Sequence, residues 1–127
     1  MKNVVDSSGW LEYFAEGPNA EFFGPPIEAQ KDLIVPVISI YEVFKRVLQQ
    51  KNEGEALQAV AQMLKGRVIP LDTQLALLAA KISRDLTLPM ADSIILATAR
   101  AYHAVLWSQD EHFDGIKGVR YRARQSS

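Results

Sequence analysis

The sequence predicts an α/β fold in which helices cover both faces of a short, mainly parallel sheet of four to five strands. Short apolar runs alternate with stretches of helical periodicity, and Gly or Pro separates many of these segments. Strands that alternate with helices pair in parallel through right-handed crossovers, which places helices on both faces of the sheet. The 127 residues contain no internal repeat, low-complexity segment or linker, so a single domain is expected over residues 1–127.

Five short segments have the apolar composition of strands. They are Lys2–Val5, Leu33–Val35, Arg67–Ile69, Val105–Trp107 and a segment around Val119–Arg122. The last belongs to the run VRYRAR, in which Arg alternates with apolar residues, as is typical of an edge strand with one exposed face. An edge strand explains these arginines better than nucleic-acid binding does.

Helical periodicity predicts five helices among these strands. They are a helix from about Ser8 to a stop at Gly17-Pro18, Ile40–Leu48, Leu57–Leu64 before Gly66, a helix from an Asp72 N-cap to about Leu86, and Ala91–Tyr102. The last of these is almost entirely apolar, which predicts a buried helix.

The composition excludes several classes of site. The chain has no cysteine, which excludes disulfides, thiolate zinc sites and thiol nucleophiles, and it has no phosphate-cradling glycine motif. The start, MKNVVDSSGW, lacks the features of a signal peptide, and no apolar run approaches the ~20 residues that span a bilayer. We therefore expect a cytoplasmic protein without membrane contact. A net charge of −1 favours no particular partner.

Four carboxylates stand near the ends of strands or the starts of helices. Asp6 follows the first strand directly, Asp110 follows the fourth, and Glu42 lies early in the helix after the second strand. Because ligands bind parallel sheets outside the carboxyl ends of the strands, these three acids are expected to converge. Asp92 is the lone charge at the start of the apolar helix, and the path of that helix leaves its position open. Clustered carboxylates repel one another unless a cation lies between them.

Each acid also has a purely structural explanation. Ser39 and Glu42 match an S-x-x-E capping box, in which Glu42 would accept a bond from the Ser39 amide. Asp92 lies in a first helical turn, where the helix dipole favours an anion. Asp6 would cap the following helix, and Asp110 would hold a turn.

In order, spacing and context, these acids resemble the motifs of PIN-domain nucleases. In size and layout the chain resembles the VapC-like toxins of type II toxin–antitoxin systems, over nearly its whole length. The resemblance rests on Asp6-Ser7-Ser8 after an apolar strand, Glu42 in SIYEVFKR, Asp92 in LPMADSIILATA and Asp110 in LWSQDEHF. It implies a three-layer α/β/α fold and a single pocket that all four acids share.

The resemblance also implies an activity, a cofactor and partners. It implies a toxin that hydrolyses RNA with Mg²⁺ or Mn²⁺ held by the four carboxylates, leaving a 5′-phosphate and a 3′-hydroxyl. Carboxylate oxygens suit these hard cations. A homodimer and an antitoxin whose helix lies in an apolar groove are implied as well. The aromatic residues between Trp10 and Ile27 fit such a surface, although core packing explains about half of them.

Several residues near the acids have two interpretations. Ser8 and Ser108 are predicted to orient an acid or contact phosphate, or else to be ordinary cap and turn residues. Ser108 stands where the family usually has Thr. Glu111 and Asp114 are interpreted as solvated loop residues, and the alternative for Asp114 is a role as an outer ligand.

Histidine ligation and two rival functions are disfavoured. His103 and His112 lack metal-ligand spacing and are interpreted as a helix-end residue and a loop residue. A phosphoacceptor-aspartate domain would need a second acid just after Asp6, where two serines stand. A catalytically silent PIN-like module that only binds RNA or protein remains the alternative, and the presence of all four acids argues against it.

Overall fold

A computed structural model describes residues 1–126 and contains one five-stranded sheet in the order β3-β2-β1-β4-β5. Every pair of neighbouring strands is parallel. The strands are β1 (Asn3–Val5), β2 (Leu33–Pro36), β3 (Arg67–Ile69), β4 (Val105–Ser108) and β5 (Val119–Tyr121). The predicted strands and the edge position of the arginine-bearing strand are confirmed.

Six α-helices accompany the sheet in the described residues, together with short 3₁₀ helices at Gln30–Asp32 and Glu111–Phe113. They are α1 (Ser7–Phe14), α2 (Ala20–Glu28), α3 (Val37–Gln50), α4 (Glu53–Met63), α5 (Thr73–Leu86) and α6 (Met90–Ala101). Sequence analysis did not predict α2, and its last turns contain both Pro25 and Pro26. Within residues 1–126, no helix is long and apolar enough to cross a membrane.

The helices form two layers because neighbouring strand residues point to opposite faces of the sheet. Val4 packs in a core with α5 and α6, whereas Val5 packs in a second core with α1 to α4. Leu106 and Trp107 of β4 divide between the two cores in the same way. The predicted three-layer α/β/α arrangement is confirmed.

The strand order reverses at β1, which pairs with β2 on one side and with β4 on the other. In open parallel sheets, a crevice for ligands opens at such a switch point, outside the carboxyl ends of the strands. Asp6 follows β1 directly and Asp110 comes two residues after β4. The fold therefore places these two acids on either side of the crevice.

Gly9 lets α1 approach the sheet closely at this point. A Cβ atom there would lie 2.6 Å from side-chain atoms of both Val5 and Phe23. Any larger residue would push α1 away from β1, so this glycine sets the distance between the first helix and the switch point.

Candidate metal centre

Asp6 is a buried carboxylate held by three hydrogen bonds. Its side chain caps α1, because Oδ1 accepts from the Gly9 amide at 2.9 Å and from Ser8 Oγ at 2.7 Å. Oδ2 accepts from Ser108 Oγ at 2.6 Å. The residue is 2% exposed. The structural explanation of Asp6 as a cap is thus correct, and it is compatible with a role in a site.

Burial raises the pKa of Asp6 from 3.8 to about 6, even though its three hydrogen bonds lower it. The nearby negative charge of Asp110 raises that pKa slightly more. A carboxylate can accept about four hydrogen bonds or ligand contacts. Among the described residues only Ser108 donates to Oδ2, which leaves this atom able to accept a further contact.

Ser108 connects Asp6 to Asp110. While its hydroxyl donates to Asp6, the same oxygen accepts from the Asp110 amide at 2.9 Å. Ser8 and Ser108 therefore both contact an acid directly, as in the first of the two interpretations. The adjacent Gln109 is buried and accepts from Asn19 Nδ2 at 3.0 Å, which holds this loop against α2.

Asp92 and Asp110 meet at the imidazole of His112. Nδ1 of His112 lies 2.9 Å from Asp92 Oδ2 and 3.3 Å from Asp110 Oδ1. The hydrogen bond to Asp92 and the charge of Asp110 raise the pKa of His112 above 6.5. Burial raises the pKa of Asp92, with contributions from the charges of Asp110 and Glu42, while His112 lowers it.

Glu42 lies on α3 and lines the same groove as Asp110. It accepts a hydrogen bond from Ser7 Oγ at 2.5 Å. The capping-box interpretation is wrong: α3 begins at Val37, two residues before Ser39, and the Ser39 hydroxyl is buried without a partner in the described part of the chain. The helix begins early because Pro36 precedes it with extended geometry, so Ser39 is already a helical residue.

His112 is the residue that sequence analysis underestimated. It is not a free loop residue but lies on the 3₁₀ helix that Asp110 caps, with its ring against both acids. The usable signal was its place two residues after Asp110, although the contact with Asp92 depends on the fold. Glu111, Asp114 and His103 are exposed, as expected.

The donors present fit a hard divalent cation. One ligand atom from each of Asp92, Asp110 and His112 lies within 4.8 Å of the others. The side chains of Asp92 and Asp110 are 16% and 28% exposed, so an ion from solvent can reach them. Carboxylates suit Mg²⁺ or Mn²⁺, and an imidazole is a donor that transition metals accept more readily than Mg²⁺ does.

The fold is similar to those of solved toxin–antitoxin proteins. A toxin–antitoxin complex from Klebsiella pneumoniae aligns with a TM-score of 0.76 at 21% identity, over 94% of this chain and 96% of that chain. VapBC2 from Rickettsia felis, bound to a DNA fragment from its promoter, aligns with a TM-score of 0.73 at 13% identity, over 97% and 98%. Mycobacterium tuberculosis VapC20, a sarcin–ricin loop cleaving toxin, aligns with a TM-score of 0.73 at 18% identity, over 91% and 95%.

The sequence itself carries the family assignment. No curated protein sequence matches the chain. Residues 4–119, however, match the PIN domain family, and this span includes all four predicted acids and all or part of every strand. The chain therefore belongs to the PIN-domain family.

Proposed function

We propose that this protein is a toxin of the VapC type, an endoribonuclease that hydrolyses RNA phosphodiester bonds with a divalent metal ion. The observation that carries the proposal is the meeting of Asp92, Asp110 and His112 beside the buried Asp6, outside the switch point of the sheet. Membership of the PIN-domain family supports it. The solved relatives that are described as toxins, one of them cleaving the sarcin–ricin loop, support it as well.

In this proposal Mg²⁺ or Mn²⁺ is held by the acids, with Asp92 and Asp110 as direct ligands. Asp6 and Glu42 add negative charge, and the free acceptor capacity of Asp6 Oδ2 allows a further contact with the ion or its water. When bound, such an ion makes a water molecule more acidic and neutralises charge on the scissile phosphate. His112 is either a nitrogen ligand or a cation that leaves when the metal enters.

The serines orient the acids for this chemistry. Ser108 contacts both Asp6 and the backbone of Asp110, so it keeps the two carboxylates at a constant separation. Ser8 and the Gly9 amide occupy Asp6 Oδ1 and thereby direct Oδ2 towards Ser108. Replacing residues that position ligands in this way commonly lowers metal affinity or activity by roughly 10- to 100-fold.

An antitoxin is the proposed protein partner, and an apolar groove is its proposed binding site. The groove lies between α1, α3 and α4 and has a volume of about 670 Å³. Apolar side chains that include Leu11, Phe14 and Val47 line it, with polar side chains such as Gln58 and Gln62 among them. The apolar face of an amphipathic helix fits such a groove. Trp10 and Phe23 are core residues, whereas Phe14 remains at this surface. Replacing Phe14 with Glu should prevent co-purification with the antitoxin, without changing RNA cleavage.

A homodimer is the proposed assembly. Leu77 on α5 is 62% exposed and Met90 at the start of α6 is 71% exposed. Exposed apolar side chains of this size favour burial against a second protein surface. Sedimentation should give the mass of two chains, and Leu77→Asp should shift the mass to that of one chain.

RNA cleavage by the purified protein tests the activity. With Mn²⁺ or Mg²⁺, wild type should cut RNA to products with a 5′-phosphate, whereas EDTA or the Asp6→Asn substitution should prevent cleavage. Asp72→Asn is the matched control, because Asp72 is also an N-cap aspartate but caps α5 outside the site. A wild type that binds RNA without cutting it under both metals would instead favour the silent binding module.

A further inference from the structure

The loop after β4 carries two residues of the candidate metal centre and, between them, one that bonds elsewhere. Ser108 donates to Asp6 at 2.6 Å, and a carboxylate oxygen of Asp110 lies 3.3 Å from the His112 ring. Gln109 is 2% exposed and has its hydrogen-bond partners on α1 and just before α2. Because the three loop residues are consecutive, whatever fixes the Gln109 side chain also restricts the positions of Ser108 and Asp110.

Asn19 is the partner that lies closest to the Gln109 side chain. It occupies the N-cap position of α2, where an Asn side chain commonly accepts from the first turn of the helix, yet it makes no such bond. Instead, its Nδ2 donates to Gln109 Oε1 and to the Ala123 carbonyl, at 3.0 Å each. Asn19 is fully buried, and its Oδ1 has no partner within residues 1–126. Since an unsatisfied buried oxygen costs stability, helix capping does not explain this side chain.

Glu12 on α1 contacts both amide residues. Its Oε2 accepts from the Asn19 backbone amide at 2.7 Å, and its Oε1 lies 3.4 Å from Gln109 Nε2. The chain passes close to this carboxylate at Gly17, where a Cβ atom would lie 2.5 Å from Glu12 Oε2. Both oxygens of Glu12 are therefore engaged by the protein, although the residue lines the same groove as Asp110.

The donors and acceptors of this network fix the orientation of both amides. Gln109 Nε2 lies 3.4 Å from the Ser8 carbonyl and from the Glu12 carboxylate, which are both acceptors, so Gln109 presents its oxygen to Asn19. Asn19 must then present its NH₂ group to Gln109 and to the Ala123 carbonyl. An aspartate at position 19 has the same shape but no donor, so Asn19→Asp would oppose an oxygen to two acceptors.

The segment after β5 contacts the same loop. The Arg122 amide donates to the Ser108 carbonyl at 3.0 Å, and the Arg122 guanidinium lies 4.7 Å from the Phe22 ring centroid. Phe22 belongs to α2, so this segment connects the helix to the loop next to the bond between Asn19 and Ala123. The loop after β4 is thus held by α1, by the start of α2 and by the segment after β5.

We propose that Glu12, Asn19 and Gln109, here called the anchor residues, are positioning residues of the nuclease. They fix the loop after β4 and thereby the places of Ser108 and Asp110. This inference rests on the proposed function, because Asp110 is a metal ligand only in that proposal. The anchor residues act through the loop and are not ligands themselves. Functional side chains need to be held within about 0.5 Å of their productive geometry, so a loosened loop lowers metal affinity and rate.

Calorimetric titration with Mn²⁺ and RNA cleavage, both well below the melting temperature, test the anchor residues. Asn19→Ala and the isosteric Asn19→Asp should each weaken Mn²⁺ binding and slow cleavage about tenfold. Glu12→Ala should behave in the same way. Glu12→Gln keeps an acceptor for the Asn19 amide and should remain close to wild type in both measurements, whereas a metal ligand would lose affinity on either substitution.

Asn52→Ala is the matched control, because Asn52 is also an asparagine at a helix N-cap. Its side chain does cap its helix, accepting from the Glu55 amide at 2.9 Å, and it lies at the start of α4. The control variant should melt at a lower temperature than wild type, since a cap is lost. Its Mn²⁺ affinity and its cleavage rate should equal those of wild type, which shows that lost stability alone does not change either quantity.

The outcomes separate this inference from the proposed nuclease. If the folded Asn19→Ala and Asn19→Asp proteins bind Mn²⁺ and cut RNA as wild type does, Asn19 is purely structural and the inference is wrong. If Glu12→Gln loses Mn²⁺ binding, Glu12 is a ligand, which also overturns its role as an anchor residue. If the Asn19 and Glu12→Ala variants bind Mn²⁺ more weakly but wild type cuts no RNA, the positioning role stands and the nuclease proposal fails. If wild type neither binds Mn²⁺ nor cuts RNA, both proposals fail.

Discussion

The candidate site contains two regions whose carboxylates differ in burial and in the number of their hydrogen-bond partners. Asp6, the inner acid, is 2% exposed and is held by two hydroxyls and a backbone amide. Asp92 and Asp110 form an outer cluster with His112, where solvent reaches both acids and one imidazole lies against them. The inner acid is rigidly oriented by the fold, whereas the outer acids have few partners among the described residues.

This difference predicts separate roles for the inner acid and the outer acids. An acid with its oxygens already engaged is preorganised and costs little to orient during reaction. Acids that are close together and accessible, with one titratable imidazole between them, are the ones that gain most from a divalent cation. We therefore expect substitution of the inner acid to affect mainly activity and folding energetics, and substitution of the outer acids to affect mainly metal binding.

Loss of the inner carboxylate should have the largest effect on the rate of RNA cleavage. Asp6→Asn removes a charge beside the reacting phosphate, and such a loss typically costs about 3–4 kcal/mol of transition-state stabilisation, or roughly 10²–10³ in rate. Cleavage of RNA in Mn²⁺ measures it, and growth arrest on expression of wild type alone should disappear in the variant. A variant as toxic as wild type would remove Asp6 from the mechanism.

The pH dependence of stability should also distinguish the inner acid. Because the pKa of Asp6 is about 6 in the folded protein and 3.8 in an ordinary aspartate, the folded protein holds this proton more tightly. Its contribution to the free energy of unfolding is therefore present below about pH 4 and falls by about 2 kcal/mol as pH rises from 4 to 7. Denaturant titrations in EDTA should show this fall in wild type relative to Asp6→Asn. A constant difference between the two proteins would contradict the raised pKa.

A smaller effect on RNA cleavage is expected for Ser108, which connects the inner acid to the outer cluster. Ser108→Ala removes the donor to Asp6 and the acceptor for the Asp110 amide, so both acids lose orientation. Cleavage should fall about tenfold. Ser108→Thr keeps the hydroxyl and should recover most of the activity. If the Ala variant is as active as wild type, the two regions work independently.

The smallest effect is expected when an acid of the outer cluster is replaced and the stability of the metal-free protein is measured. Asp92→Asn removes repulsion from Asp110 and Glu42 but also the hydrogen bond from His112, so metal-free stability should rise by less than about 1 kcal/mol. Thermal melts in EDTA measure this change. A clear loss of stability would indicate that Asp92 serves the helix dipole, as the structural explanation holds.

Much of the fold was predictable because the strands are short, continuous apolar runs, as expected for strands that are buried on both faces of a parallel sheet. Val4 and Val5 illustrate this, since each packs in a different core. Helix α2 was not predictable from local rules: Pro25 and Pro26 oppose a helix, and burial of Phe23 and Ile27 against the sheet outweighs them. Tertiary packing decided this element.

The residues of the site also differ in whether local sequence or tertiary packing determines their position. Asp6 and Asp110 were predictable to share one edge, because their position after parallel strands is a local property of the sequence. The pairing of Asp92 with His112, 20 residues later, depends on how α6 packs on the sheet. The alternative partner of Glu42, the Ser39 amide, is not the observed one, because α3 already begins at Val37 and Ser39 is not its cap.

Calorimetric titration with Mn²⁺ tests most directly whether the outer acids form a metal site. Wild type should bind Mn²⁺, and at ~100 times the dissociation constant the ion should stabilise the fold by about 2.7 kcal/mol. Asp92→Asn should lose both the binding heat and the metal-induced rise in melting temperature, whereas Asp72→Asn, which changes a helix cap outside the site, should keep both. Equal Mn²⁺ binding by wild type and Asp92→Asn would contradict the assignment of the outer cluster.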